Sequence, residues 1–170
     1  MINLSLMISE PTDEILSILS RDARVTAEQI AKMTGRELKE VKAAIEAYEK
    51  SGVIKRYKAI IDWEKAGVEK VLAFIDVQVA PAREVGFDKV AFRISRFPEV
   101  MSVWLVSGTH DLRVLVQGDN LRELGRFVAE KLSTIEGIRA TETHFMMRRY
   151  KEDNDLFVDS DEDNRLLVTP

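Results

Sequence analysis

The chain has 170 residues, enough for one large domain or two small ones, and 45% hydrophobic with 32% charged residues is the composition of a globular protein. It has no cysteine, which excludes disulfides, cysteine-ligated zinc, iron–sulfur clusters and thiol catalysis. The net charge of −4 is gathered in residues 151–170, where seven acidic groups face two basic ones, so the chain as a whole is no simple polycation.

Met1–Ser9 is mildly apolar but lacks a basic start and is too short for a signal peptide. No stretch approaches the ~18 apolar residues of a membrane span. A soluble cytoplasmic protein is expected. Pro11 and Thr12 open a first helix with Ile15, Leu16, Ile18 and Leu19 inward, and Arg21–Arg24 ends it. Thr26 and Gln29 then form a capping box ahead of a helix whose apolar stripe is Ile30 and Met33. Thr34-Gly35 breaks that helix. A longer one carries Leu38, Val41, Ile45 and Tyr48 at helical spacing and stops at Gly52. Helix, glycine turn, helix fits a DNA-reading helix-turn-helix, and by spacing alone it fits a plain helical hairpin equally well.

Val53–Asp62 comes next without a linker and reads as a strand, with Lys55, Arg56 and Lys58 as the most basic short run of this half. Gly67 is the expected joint. Beyond it come a strand over Val71–Val79, an amphipathic helix over Arg83–Phe97, and strands over Val100–Ser107 and Asp111–Gln117. A helix capped by Asn120 then runs to Ser133, with Leu121, Leu124, Phe127, Val128 and Leu132 inward, and a last strand covers Ile138–Arg148. Ser95–Val103 and Ser133–Thr141 form a weak internal repeat of helix end, turn and strand. The order β-α-β-β-α-β is the split, ferredoxin-like arrangement, whose antiparallel sheet has helices on one face only. Leu72, Phe74, Val103, Leu105, Val114 and Val116 are candidates for the uncovered face, which a symmetric dimer would close. The fold class is thus α+β, with a winged-type helix-turn-helix over 10–62, a ferredoxin-like domain over 68–150 and an acidic tail over 151–170. Two apolar anchors, Leu156-Phe157-Val158 and Leu166-Leu167-Val168, flank the solvated centre of that tail.

With these pieces in order, residues 11–150 resemble the Lrp/AsnC, or feast/famine, family of prokaryotic transcription regulators. The matching segments are PTDEILSIL, EQIAKMTG, YEKSGVIKRYKAIID, VSGTHDL and RATETHFMM. The resemblance implies double-stranded DNA as one partner and an amino acid or related metabolite as effector. It also implies a homodimer through the second domain, often built into an octamer. No cofactor is expected. Its effector positions map onto Ser107, Gly108, Thr109, His110 and Asp111, with Thr141 and Thr143 on the last strand. Asp111 is suited to an ammonium group, and a glycine turn with hydroxyls to a carboxylate. The same residues also suit an ordinary hairpin turn and an ordinary strand.

The DNA-facing helix departs from the family pattern. Glu37 and Leu38 stand where Ser and Pro are usual, and Ala43, Ala44, Glu46 and Ala47 where basic residues are common. Base reading would fall to Arg36, Lys39 and Lys42, with Glu40 accepting from cytosine and Lys55, Arg56 and Lys58 nearby. A weak or narrowly specific reader that relies on oligomer avidity is expected. His110 and His144 are the chain's two imidazoles and show no compact metal-ligand spacing. The alternatives are an enzyme like the sirohaem decarboxylases, whose His/Arg cluster is not evident here, and a ligand sensor that has lost strong DNA binding.

Overall fold

The structure is a computed structural model that describes residues 13–80 and 86–158. The chain divides into two compact units, one ending at Ile61 and the other starting at Asp62. Pro11, Thr12, the expected helix start at Arg83 and the Leu166–Val168 anchor lie outside the described residues.

The first unit is three helices: α1 (Glu14–Arg21), α2 (Ala27–Thr34) and α3 (Leu38–Lys50). The starts of α1 and α2 are capped by side chains, whereas Glu37 before α3 makes no such bond. Asp13 caps α1 by accepting from the Ile15 N–H at 3.0 Å. Thr26 and Gln29 complete the capping box of α2 reciprocally, at 2.8 and 3.3 Å. Gly35 ends α2 with φ +70°, a backbone conformation that costs a side-chain-bearing residue roughly 1–2 kcal/mol. Ile15, Ile30 and Val41, one from each helix, are fully buried together. Met33 and Leu38, expected inward, are exposed. On the two turns of α2 the inward stripe is Ala27, Ile30 and Ala31, and Met33 falls beside it.

The strand expected over Val53–Asp62 does not form among the described residues. Its backbone has no ladder partner, and Val53, Tyr57, Ile60 and Ile61 are exposed. Strand propensity is not enough without a neighbour to take the hydrogen bonds.

The second unit has β1 (Val71–Val79), α4 (Phe87–Ile94), β2 (Val100–Leu105), β3 (Leu112–Gly118), α5 (Leu121–Arg126) and β4 (Ile138–Phe145). The sheet order is β2-β3-β1-β4, antiparallel throughout. This is the ferredoxin-like topology. Its core is Ala73, Ile75, Val77 and Val79 of β1 and Leu112, Val114 and Val116 of β3, under Val90, Ile94, Leu124, Phe127 and Leu132 of the helices. Val114 and Val116 therefore belong to the covered face, and Val103 packs there too. Val114 is the β3 partner of Ile75, and directly paired residues share a face. Leu72 and Phe74 keep to the uncovered face.

The helix α5 continues as six residues of wider π turns, Phe127–Leu132. In an α-helix, positions five apart lie on different faces. The wider turn brings both Phe127 and Leu132 into the core, where Phe127 meets the Phe97 ring edge-on at 5.5 Å. Leu121, expected inward, is exposed. Beyond β4, a short hairpin pairs β5 (Lys151–Glu152) with β6 (Asp155–Leu156) through Asp153-Asn154, both at positive φ. The tail expected from Lys151 thus begins as ordered structure, with Phe157 beneath the Arg149 guanidinium at 4.8 Å.

Candidate nucleic-acid interface and ligand site

The first candidate surface is α3 together with the basic segment at its C-terminal end. Val41, Ala44, Ile45 and Tyr48 turn α3 towards the other helices. One turn of the helix takes 3.6 residues, so Lys39, Ala43, Glu46, Ala47 and Lys50 share the opposite side. Lys50 closes onto Glu46 at 2.5 Å. Arg36, in the turn, forms an ion pair with Asp13 at 3.1 Å. The same carboxylate accepts the Tyr48 hydroxyl of α3, which with Arg36 holds Asp13 below the usual carboxylate range. Lys42 pairs with Glu28 of α2 at 2.9 Å, and that pairing lowers Glu28 likewise. Lys39, Glu40, Lys55, Arg56 and Lys58 are exposed. Tyr57 donates its hydroxyl to Glu49 at 2.9 Å and so pins the basic segment to α3.

The second candidate is the turn after β2. Ser107, Gly108 and Thr109 are exposed, and Gly108 has φ +134°, open to glycine. The turn is stitched to the end of β1. The Asp111 N–H donates to the Val77 carbonyl at 3.0 Å, and Asp111 Oδ2 accepts from the Val79 N–H at 2.8 Å. Val79 lies past the end of the β1–β3 ladder, so the side chain supplies the acceptor the strand lacks. Gln78 Nε2 donates to the Thr109 carbonyl at 3.0 Å. His110 Nε2 lies 3.5 Å from Glu142 of β4. The structure thus brings the turn and β4 together at Gln78, His110 and Glu142. Thr141 and Thr143 pair with Val77 and Ile75, so they face the helix side, while Glu142 and His144 face the uncovered side.

That uncovered face holds a polar centre not expected from the sequence. Asp76 is 5% exposed although it lies on the face opposite this unit's described helices. Arg113 grips it with two hydrogen bonds of 2.7 Å, and His144 stands 3.6 Å away. Arg113 above all keeps the Asp76 carboxyl below its usual range. Leu72, Phe74, Trp104 and Leu115 surround this centre by register. The signal was present as a lone Asp in the apolar strand VLAFIDVQV, on the Phe74 side of its alternation. Its partner was not legible, because Arg113 is 37 residues away. Among the described residues no group of three or more His, Asp or Glu is placed to hold a metal ion. An open cleft of about 1070 Å³ lies at the other end of the sheet, around Lys70, Asp119 and Arg122, and none of the expected effector residues lines it.

A profile of the Lrp/AsnC ligand binding domain matches residues 72–156, and one of the winged helix-turn-helix DNA-binding domain matches residues 11–55. The chain is 48% identical to the uncharacterized HTH-type transcriptional regulator YugG of Bacillus subtilis over 164 residues, 96% of this chain and 99% of that one. Among solved structures it resembles the leucine response regulatory protein LrpA of Mycobacterium tuberculosis, with a TM-score of 0.70 at 23% identity over 83% of this chain and 93% of that one. It also resembles a transcriptional regulator of Neisseria meningitidis solved with L-Met, with a TM-score of 0.67 at 20% identity over 82% and 89%. At these identities the two structures speak for the fold.

Proposed function

The chain belongs to the Lrp/AsnC family of transcription regulators, and on that premise we propose that it binds double-stranded DNA under the control of an amino acid. The observation that carries the reading is the turn Ser107–Asp111, fastened to β1 and β4 with acceptors left over. Asp111 spends one carboxylate oxygen on the Val79 N–H, and its other oxygen and the exposed Glu142 suit an ammonium group. Thr109 and the glycine turn offer donors to a carboxylate. Thr141 and Thr143 face the helix side of β4, opposite Glu142, so the reading rests on the turn and not on them. The L-Met bound by the Neisseria regulator is a ligand of this chemical class.

The reading includes a cytoplasmic, non-enzymatic homodimer, formed sheet to sheet over the uncovered face, with an octamer as the larger form. Effector binding at the turn changes subunit packing and with it DNA affinity. A thermal-shift series over the twenty amino acids tests the effector. A ligand at a hundred times its Kd stabilises by ~2.7 kcal/mol, a rise of several degrees for a chain of this size. A rise with at least one amino acid, lost in Asp111→Asn, is expected. No rise with any of them contradicts the site.

A further inference from the structure

We infer that this head grips DNA chiefly by its phosphates, through Lys39, Lys55 and Arg56, and that Arg36 and Lys42 hold the head together instead of reading bases. The inference rests on the regulator function proposed for the chain and sharpens it.

Three observations support it. The outward side of α3 is poor in groups that can read a base edge. Ala43 and Ala47 offer methyls, which touch only a thymine methyl, and Lys50 is closed onto Glu46. Lys39 is left as the cation there with no ion pair among the described residues. Second, Arg36 and Lys42 are already spent. Asp13 is fixed by the Ile15 N–H and the Tyr48 hydroxyl, and Arg36 closes the same knot between α1, the turn and α3. Lys42 ties α3 to Glu28 of α2. To reach a phosphate, either cation must first release a carboxylate, which subtracts from the gain. Third, the basic segment after α3 is built into the head. The Ile54 N–H donates to the Tyr48 carbonyl at 3.0 Å, and Tyr57 is fastened to Glu49. A Cβ on Gly52 would lie 3.2 Å from Lys55 Nζ, so that ammonium is carried at the C-terminal end of α3. Lys55 and Arg56 are exposed and have no ion pair among the described residues. Unpaired cations on a segment tied to α3 are suited to a charged backbone, which supplies affinity without sequence information.

The experiment is fluorescence anisotropy of the full chain on a mixed-sequence duplex over a salt series, beside selection from a random-sequence duplex pool. Lys55→Ala with Arg56→Ala is expected to weaken binding about tenfold or more at low salt and to flatten log K against log salt by about 0.9 for each phosphate no longer neutralised. Arg36→Met and Lys42→Gln are expected to change affinity by less than about threefold, with the salt slope unchanged. The random pool yields no sharp consensus. Arg36→Met disturbs the Asp13 knot, so its melting curve is recorded, and Lys42→Gln makes the same comparison away from that knot. The inference is overturned if Lys42→Gln or a folded Arg36→Met costs as much affinity and slope as the double variant. It is overturned equally if selection returns a sharp motif that Lys42→Gln erases. No binding by the unsubstituted chain, even at low salt, overturns the regulator function itself and is distinguishable from both.

Discussion

Asp76 is a carboxylate in the middle of an apolar strand, and Arg113 is what keeps it ionised. Its folded-state pKa is depressed, so its contribution to stability is present above the unfolded value of about 3.9 and is lost as pH falls through the lower folded one. Asp76→Asn removes that charge and leaves Arg113 without its partner. We expect a loss of about 1–3 kcal/mol at neutral pH by urea unfolding, and a flatter fall in stability between about pH 5 and 2. An unchanged acid limb contradicts the assignment. Asp111 needs a different test, because its carboxylate has two tasks. Asp111→Asn keeps an oxygen for the Val79 N–H and removes the charge, so the melting temperature should hold while effector affinity drops tenfold or more. Asp111→Ala should lower both. The position of Asp111 after a glycine turn was legible in the sequence. That one of its oxygens completes β1 was not, since cross-strand neighbours are fixed by register, which a single sequence does not display.

At the scale of elements, features that depend on near neighbours in the chain could be read in advance. The Thr26–Gln29 box, the Gly35 break and the Asn120 cap are all formed as expected. Thr26→Ala is predicted to cost about 1 kcal/mol by removing the N-cap of α2, measured by thermal or urea unfolding of the full chain. A neutral result would mean that α2 is held by packing alone. The failures share a cause. Val53–Asp62 has the composition of a strand but no ladder partner, and the π turns at Phe127–Leu132 answer to a core that must take side chains five apart. Both depend on tertiary surroundings. The sharing of Asp13 among Ile15, Arg36 and Tyr48 is a further case, with partners up to 35 residues away.

For the whole molecule, the open sheet face asks for a cover. Leu72, Phe74, Trp104 and Leu115 surround the Asp76–Arg113 pair on the face of the sheet opposite this unit's described helices. Apolar groups around a paired charge suit an interface that is both cohesive and fixed in register. Sedimentation of the full chain should give a dimer or a multiple of it. Phe74→Glu should shift it towards monomer, and a monomeric unsubstituted chain would contradict the assembly. The two-domain plan was legible because each domain has its own periodicity, helical before Gly52 and alternating after Val71. The character of the open face was less so. It was expected to be apolar, yet of its six candidates Val114 and Val116 are core, and Val103 and Leu105 lie on the same helix side by register.

If one ligand governs DNA binding, the coupling between the two sites is reciprocal and can be read from either end. The direct measurement is the apparent Kd of the full chain for a mixed-sequence duplex, by anisotropy at low salt, with and without each amino acid at saturating concentration. At least one amino acid is predicted to move that Kd by about fivefold or more, and Asp111→Asn to abolish the shift. A Kd that no amino acid alters, or an effect that survives intact in Asp111→Asn, contradicts ligand control through this turn.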